Sequence, residues 1–322
     1  MPGEVTVRDS HLSLLAAVTA AGFWGLSGTA AQALFALYGF PVLGLVTVRM
    51  LCSGLLVIGL IGRKGRPPIT VTFVLLSVLG IAGSQLTYLE AIRYSNAVTA
   101  TLLQFLFLPM VAAYEGLRGE VRWSWHWSAT LGIAVVGTVL LVTNTGVGSL
   151  GILLTPLGAL FGLLSAASGA YYSIAGGRLV KVHGTWPLTA WGFLVGGLVT
   201  LPAGAYAFAT YSFPASLPSV AELVGLVAFV IVFGTLLGYG LYLFGLRHLP
   251  ATEVGVAASV EPISAGVATH VFLGVTLSLA QYLGGALIVV AVALLGLRRR
   301  PRGGRPAPVP SAVPPGRSDP PP

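Results

Sequence analysis

Charged side chains are rare inside the apolar segments of this sequence, and one glutamate lies deep within such a segment. Glu261 comes about ten residues into the apolar stretch 251–273, roughly 15 Å along a helix. An ionised carboxylate at that depth costs several kcal/mol, so we expect it to be protonated, paired or in contact with water. Such a group is a candidate for proton exchange with a bound solute. The alternative is a neutral acid that hydrogen-bonds a neighbouring helix.

Two further charged residues lie at similar depth in two other apolar segments. Arg49 falls within 42–61, and Glu90 lies near the end of 70–92. A salt bridge between these side chains would keep both charged, and Arg93, three residues after Glu90, is the competing partner. We predict a structural ion pair between Arg49 and Glu90 near the external side, with an extracellular gate as the alternative.

Amide and aromatic side chains within the apolar segments could line a polar cavity. Gln85 and Gln104 each carry donors and acceptors, with a hydrogen bond between helices as the alternative to a place on a cavity wall. Large aromatic residues could form an amphipathic wall or simply pack in the core. These residues are Trp24, Tyr171, Tyr172, Tyr239 and Tyr242.

The sequence contains an internal repeat that brings two proline-containing segments into correspondence. The repeat pairs residues 154 positions apart: Tyr88 with Tyr242, Leu89 with Leu243, Arg93 with Arg247 and Ala97 with Ala251. Pro109 then corresponds to Pro262 after a one-residue slip. Proline frees a backbone carbonyl that lipid cannot satisfy, so both regions should face protein or a water-filled cavity. Matching interrupted segments indicate a transporter's binding site, and we predict that they meet at the centre.

Composition indicates an integral membrane protein. Charged residues make up 8% of the chain and apolar residues 55%, whereas a soluble domain carries about a quarter charged residues. The net charge of +8 comes from basic residues in short loops and in the tail after Leu297, so it indicates membrane topology and not nucleic-acid binding. The single cysteine, Cys52, rules out a disulfide within the chain.

The apolar runs are continuous, which predicts membrane-spanning helices and not barrel strands. We predict an all-α protein with ten transmembrane helices. Their predicted ranges are 12–31, 42–61, 70–92, 97–115, 127–143, 152–175, 186–208, 222–246, 251–273 and 278–297.

Basic residues fix the predicted orientation of these helices. With both termini in the cytoplasm, all of the seventeen Lys and Arg residues except Arg49 and Arg93 lie on the cytoplasmic side. Five helices per half is an odd number, so the two repeats should be inverted relative to each other. The predicted organisation is a cytoplasmic N-terminus 1–11, a first five-helix repeat 12–143, an external linker 144–151, a second repeat 152–297 and a disordered Pro/Arg-rich cytoplasmic tail 298–322.

Catalytic motifs are missing from the sequence. It has no phosphate-binding loop ending in GK[ST], no H-E-x-x-H and no G-x-S-x-G, and no apolar segment carries paired aspartates. We therefore expect no enzymatic activity, no cofactor and no metal site.

Several stretches resemble the EamA family of the drug/metabolite transporter superfamily. They are FWGLSGTAAQ at 23–32, VRM at 48–50, SNAVTATLLQFLFLP at 95–109, the Gly-Glu pair at 119–120 and SVEPISAG at 259–266. The resemblance implies two inverted five-helix repeats around a central cavity. It implies that Trp24, Gln104, Pro109, Tyr242, Glu261 and Pro262 line this cavity, and we add Gln85 from its position. One departure is Val275, at a position after Leu-Gly where the family often has glutamate. The ends of the two repeats are therefore not equivalent, which argues against a role for this glutamate that both repeats share.

Together these patterns predict an exporter of small metabolites in the inner (plasma) membrane. We expect alternating access, either facilitated or coupled to a proton gradient, with amino-acid-like or amphipathic solutes among the substrates. The alternatives are a structural or interaction membrane protein without transport and a membrane enzyme. The expected partners are a small-molecule substrate and the lipid bilayer, with no nucleic acid; whether the chain forms a homodimer stays open.

Overall fold

The structure of the chain, a computed structural model, describes residues 7–62, 66–118, 125–143, 155–249, 254–255 and 257–297. Regular structure in these ranges is helical throughout. The α-helices are α1 Val7–Tyr38, α2 Val42–Ile61, α3 Val71–Leu75, α4 Gly83–Arg93, α5 Ala97–Gln104, α6 Phe107–Leu117, α7 Trp125–Thr143, α8 Pro156–His183, α9 Thr185–Ala209, α10 Leu217–Phe229, α11 Gly238–His248, α12 Glu261–Leu273 and α13 Leu279–Leu297.

Side-chain caps and glycines set several helix ends. The Asn96 side chain accepts a hydrogen bond from the Thr99 amide at 2.8 Å, which caps the start of α5. Thr155 caps α8 in the same way through the Gly158 amide at 3.1 Å. At the other end, α12 stops at Gly274, whose φ of 61° is in the left-handed region that suits glycine.

Length and apolar composition make seven of the described helical segments able to cross a membrane. Consecutive helices join to form some of these segments. They are Ser10–Tyr38, Val42–Ile61, Val71–Arg93, Ala97–Tyr114, Pro156–His183, Thr185–Ala209 and Ser219–His248. Two shorter apolar helices, Ser128–Leu140 and Leu279–Ala291, lie in the fifth predicted span of each repeat.

Two stretches of π-helix interrupt the long segments at matching places in the two halves. Leu76–Ala82 joins α3 to α4, and Val230–Leu237 joins α10 to α11. Their first residues are 154 positions apart, which is the offset of the sequence repeat. Because the repeat was defined from other residues, the π-helices are an independent sign that the halves share one local structure.

Packing between the halves follows the same correspondence. Helix α1 packs on the second π-helix, α11 and α12, whereas α8 packs on the first π-helix, α4 and α5. The second helices of the repeats, α2 and α9, pack on each other, and so do the last helices, α7 and α13. The two proline-containing segments touch through α5, which precedes Pro109, and α12, which carries Pro262; that they meet at the centre of the membrane stays a prediction.

Small residues allow the central helices to approach closely, which is the usual basis of helix association in lipid. A Cβ atom on Gly25 would lie 2.6 Å from the Ala265 amide nitrogen and 2.8 Å from the Glu261 carbonyl oxygen. The backbones of α1 and α12 are therefore in direct contact beside Glu261.

Three predicted regions lie wholly or mainly outside the described residues. They are most of the N-terminus 1–11, the linker 144–151 and the tail 298–322.

Candidate functional site

One cavity lies where helices of both halves converge. The centre of a water molecule can occupy about 60 Å³ of it, and all the space not filled by atoms, counting the part open to solvent, is about 680 Å³. Charged, amide and aromatic side chains make up much of the lining, as is usual for a small-molecule site. The lining residues are Trp24, Ser27, Gly28, Arg49, Ser84, Gln85, Tyr88, Leu89, Gln104, Phe105, Phe107, Gly169, Tyr172, Ser173, Tyr239, Tyr242, Ala258 and Glu261.

Most of the residues predicted to line a cavity come together here. Five of them are in the lining: Trp24, Gln85, Gln104, Tyr242 and Glu261. The prolines are placed differently. Pro109 is buried in α6 and is not among the lining residues. Pro262 lines a separate, largely apolar cavity between α5, α12 and α13. The two prolines therefore shape the helices around the cavity, and their side chains are not part of its wall.

Arg49 points into the cavity instead of toward Glu90. Its Nε donates to the Thr235 hydroxyl at 2.6 Å, and its Nη2 donates to the Gly234 carbonyl at 3.2 Å. Both partners belong to the second π-helix. The guanidinium is only 3% exposed, so the two hydrogen bonds hold a buried cation in place.

The predicted ion pair of Arg49 with Glu90 is therefore wrong. Within the described ranges, the ion pair that Glu90 makes is with Arg93, at 4.0 Å, and both residues line a different cavity near Pro41 and Tyr211. Matching depth along two helices does not determine which faces meet. Here the face of α2 that carries Arg49 meets the second π-helix.

Glu261 is a buried carboxyl group without a protein partner in the described part of the chain. It is the first residue of α12 and is 4% exposed. The hydrogen bonds and ion pairs between described residues leave its carboxyl oxygens unpaired. Glu261 and Arg49 thus face the same cavity without forming an ion pair with each other.

Four aromatic rings form a continuous wall of the cavity. Trp24 lies 5.1 Å from Tyr239 and 5.1 Å from Tyr242, measured between ring centroids. Tyr172 lies 5.6 Å from Tyr239 and 6.2 Å from Tyr242. Gly238 leaves room for the Trp24 indole, because a Cβ atom on this glycine would collide with the ring. The wall offers apolar faces together with polar edges.

Among the described residues, three buried donors in the lining have no hydrogen-bond partner. They are the indole nitrogen of Trp24, the amide nitrogen of Gln85 and the hydroxyl of Tyr172. Unpaired buried polar atoms are uncommon in native proteins, so each one calls for a partner. A solute or water in the cavity would supply acceptors for all three.

Other polar side chains of the lining are held by hydrogen bonds across helices. The Tyr88 hydroxyl lies 2.9 Å from the Thr101 hydroxyl, and the Tyr242 hydroxyl lies 3.4 Å from that of Ser173. The Gln104 amide donates to the Ser84 hydroxyl at 3.3 Å. The cavity is therefore largely preorganised.

Sequence reasoning missed several lining residues, and for one of them a signal was present. Tyr88 is the repeat equivalent of Tyr242, so once Tyr242 is a candidate the internal repeat also indicates Tyr88. For Ser27, Ser84 and Ser173 no comparable signal exists, because serine is common in packed membrane helices.

The arrangement is suited to binding a polar or charged solute. It offers one buried cation, one buried carboxyl, unpaired donors and an aromatic wall. Among the described residues, no group of three or more His, Cys, Asp or Glu residues could hold a metal ion.

One protein family matches most of the chain. The EamA-like transporter family matches twice, over residues 11–143 and 156–297. These two matches coincide with the halves defined by the repeat and by the π-helices.

Individual relatives are membrane transporters. The inner membrane transporter YicL of Salmonella typhimurium strain LT2 is 31% identical over 304 residues, covering 91% of this chain and 99% of YicL. The threonine/homoserine exporter RhtA of the same organism is 27% identical, covering 94% of this chain and 98% of RhtA. The inner membrane transporter YedA of Escherichia coli strain K12 is 24% identical, covering 80% of this chain and 82% of YedA.

A solved crystal structure has a similar fold. It aligns with a TM-score of 0.63 at 19% sequence identity, covering 91% of this chain and 99% of the other. At this identity the likeness shows a shared fold and nothing more.

Proposed function

Because this chain belongs to the EamA-like transporter family, we propose that it exports small metabolites across the inner membrane by alternating access. Family and relatives make the chain a multi-pass membrane transporter. Direction of transport, type of solute and energy coupling are the proposed part.

We propose ten membrane spans in two inverted five-helix repeats, with both termini in the cytoplasm. Support comes from the distribution of basic residues and from the reciprocal packing of α1 and α8 on the opposite halves. Inverted repeats commonly place the solute site at the repeat interface near the midplane of the bilayer. The cavity lies at this interface, since both halves contribute to its lining.

One observation carries the proposal: Arg49 and Glu261 are both buried and both face this cavity. A charge at membrane depth is costly, so it usually marks a solute or ion pathway. In a bundle that only packs, a cavity lined by these two groups would be a pure loss of stability. This argues against a structural membrane protein without transport.

We propose that Glu261 couples export to the proton gradient. It is the carboxyl group in the cavity lining, and nothing among the described residues pairs with it. A carboxyl that exchanges a proton for a solute as the cavity changes sides would link the two movements. Facilitated export without coupling is the alternative.

Transport into everted membrane vesicles tests the proposal directly. A panel of labelled amino acids, organic acids, amines, sugars and nucleosides is offered at the former cytoplasmic face, with and without an imposed pH gradient. We expect at least one class to accumulate above vesicles that lack the protein, and the gradient to increase this accumulation. If no compound accumulates while the protein is present and folded, export of small metabolites is wrong.

A further inference from the structure

We propose that the cavity recognises a zwitterion at two points, with the carboxylate of an amino-acid-like solute at Arg49 and its ammonium group at Glu261. This inference rests on the proposed function and names the solute class for the same cavity. It depends on charge balance, on the supply of hydrogen-bond donors and on the aromatic wall.

Charge balance favours a solute that carries both signs. Arg49 and Glu261 are 3% and 4% exposed, and no ion pair joins them to each other or to any other described residue. A solute with only a negative group would satisfy Arg49 and repel an ionised Glu261, and an amine would do the reverse. A zwitterion satisfies both groups and adds no net charge to a buried site.

Donor supply favours a carboxylate at the Arg49 end. Two nitrogens of the guanidinium already bond to Thr235 and Gly234, which leaves Nη1 without a partner among the described residues. Trp24, Gln85 and Tyr172 add three buried donors that no other described residue pairs with. A carboxylate has two oxygens that accept about four hydrogen bonds, so it can use these donors.

The same balance argues against a phosphate group. A phosphate carries up to two negative charges, and among the described residues of the cavity lining Arg49 is the one permanent cation. A phosphorylated solute would leave an uncompensated charge in a buried site that also contains a carboxyl group. One guanidinium matches one carboxylate.

The aromatic wall sets the character of the rest of the solute. Trp24, Tyr172, Tyr239 and Tyr242 present ring faces that can attract an ammonium group and cover an apolar side chain. A charged side chain would introduce a third charge with no partner in the lining. We therefore expect neutral amino acids to bind better than acidic or basic ones.

Binding to the purified full-length protein in detergent, measured by isothermal titration calorimetry, tests the inference. Three sets of compounds share a side chain and differ in charge. Each set has the amino acid, the amine without the carboxylate and the acid without the ammonium group. They are L-alanine with ethylamine and propanoate, L-leucine with 3-methylbutylamine and 4-methylpentanoate, and L-phenylalanine with phenethylamine and 3-phenylpropanoate.

Wild-type protein should bind at least one amino acid ten or more times more tightly than both of its truncated forms. Arg49→Gln should lose this advantage over the amine, because the amino acid binds more weakly while the amine, no longer repelled by the guanidinium, binds as tightly as to wild type or more tightly. Glu261→Gln should lose the advantage over the acid, because the amino acid binds more weakly while the acid, no longer repelled by the carboxylate, binds as tightly as to wild type or more tightly. Glu90→Gln and Arg93→Gln, which remove charges outside this cavity, are matched controls and should bind like wild type.

Each variant should thus weaken binding of a different set of compounds. A general structural role of Arg49 or Glu261 would instead weaken the binding of all compounds alike. If Arg49→Gln does not fold, Arg49→Lys keeps the charge and should retain a reduced preference for the amino acid. The wild-type comparison needs no variant at all. The inference is overturned if no amino acid binds, if a truncated form binds as tightly as its amino acid, or if both variants weaken all three forms equally.

The vesicle experiment separates this inference from the proposed function. Export of sugars or simple organic acids, with no amino acid binding, would leave the exporter intact and remove the zwitterion site. Tight and charge-dependent amino acid binding with no accumulation in vesicles would keep the site and remove the exporter.

Discussion

Glu261 occupies a position where its charge state and the local helix geometry are linked. The short 3₁₀ turn Ala258–Val260 ends directly before it, and α12 begins at Glu261 with Pro262 in its first turn. Proline is tolerated there because the first amides of a helix have no partner within the helix. The positive end of the helix dipole favours the ionised carboxyl, whereas burial disfavours it. Because these two effects oppose each other, the charge state of Glu261 should respond to what occupies the cavity.

Glu261→Gln should abolish gradient-driven accumulation while leaving the protein folded. Glutamine keeps the shape and hydrogen-bonding capacity of the side chain but cannot exchange a proton. Counterflow of unlabelled for labelled solute, which needs no gradient, should persist at a measurable rate. Accumulation with an imposed pH gradient and counterflow in the same vesicles give the two readings.

A matched control for this experiment is Glu90→Gln, because Glu90 lies outside the cavity and pairs with Arg93. This variant should accumulate solute at the wild-type rate. Undiminished pH-driven accumulation by Glu261→Gln would show that its carboxyl is structural and would remove the reason for proposing protons.

The site residues show what sequence alone can resolve. Glu261 and Trp24 could be placed at a cavity because their polar atoms lie inside apolar segments, where few environments accept them. Arg49 could be recognised as buried but was assigned the wrong partner. Its contacts are with Thr235 and Gly234, about 185 residues away along the chain, and they depend on how α2 is rotated. Composition and depth contain no information on that rotation.

At the scale of elements, the second π-helix holds the guanidinium group of Arg49 in the cavity. A π-helix leaves carbonyl groups less regularly paired than an α-helix does. Here the Gly234 carbonyl accepts from Arg49, the Ile231 carbonyl accepts from Ser53 at 3.3 Å, and the Val230 carbonyl accepts from Thr235 at 2.9 Å. Side chains of α2 and of the π-helix itself therefore hold the π-helix, and the π-helix in turn positions Arg49.

Gly25→Ala should destabilise the protein by about 1–3 kcal/mol, the usual cost of overpacking. The new Cβ atom would meet backbone atoms of α12 at 2.6 and 2.8 Å, and backbone cannot rotate away as a side chain can. The free energy of unfolding in mixed micelles, obtained from titration with a denaturing detergent, measures the loss.

Gly22→Ala is the control on the same helix, since nothing lies within 4 Å of its added Cβ. Alanine favours helix over glycine by up to about 1 kcal/mol, so this variant should be as stable as wild type or more stable. Equal stability of both variants would mean that α1 and α12 are not in contact at Gly25.

Helix positions were largely predictable, and their internal irregularities were not. The predicted span 42–61 has the observed bounds of α2, and the predicted 70–92 agrees within one residue with the segment Val71–Arg93. Helix α1 extends beyond its predicted 12–31 at both ends. The mainly polar residues 7–11 continue it at the start, and the mainly apolar residues 32–38 continue it to Tyr38. The π-helices were not predicted, since an α-helix and a π-helix differ in hydrogen-bond register and share the same apolar composition.

At the scale of the whole molecule, each half depends on the other half to bury polar side chains. Arg49 and Ser53 of α2 are buried, and the partners of their hydrogen bonds, Thr235, Gly234 and Ile231, all belong to the second half. In a bilayer without the partner half these groups would face lipid, which cannot hydrogen-bond them.

Residues 1–147 and 148–322 expressed separately should therefore be degraded, whereas co-expression should give a complex that purifies together. Affinity purification through a tag on one half, with detection of the other, measures the association. Stable accumulation of a single half as a monomer would contradict the interlocked arrangement.

Orientation in the membrane can be tested with single cysteines on a Cys52→Ser background. If both termini are cytoplasmic, Gly148→Cys in the predicted external linker should react with a membrane-impermeant maleimide in intact cells. Gly304→Cys in the tail should react only after the cells are made permeable. The reverse pattern would invert the predicted topology and, with it, the proposed direction of transport.

The matched π-helices also bear on the history of the gene. An extra residue within a helix re-phases everything that follows it, so its arrival in an established helix would disturb packing along the whole downstream face. Two such events at the same register, in Leu76–Ala82 and in Val230–Leu237, would have to be independent if they came after the halves were joined. A single origin is simpler: the ancestral half already carried the π-helix, and duplication copied it. By this account the π-helix is older than the joining of the two halves. The contact of Arg49 with Gly234 and Thr235 is then a later use of a π-helix that both halves inherited.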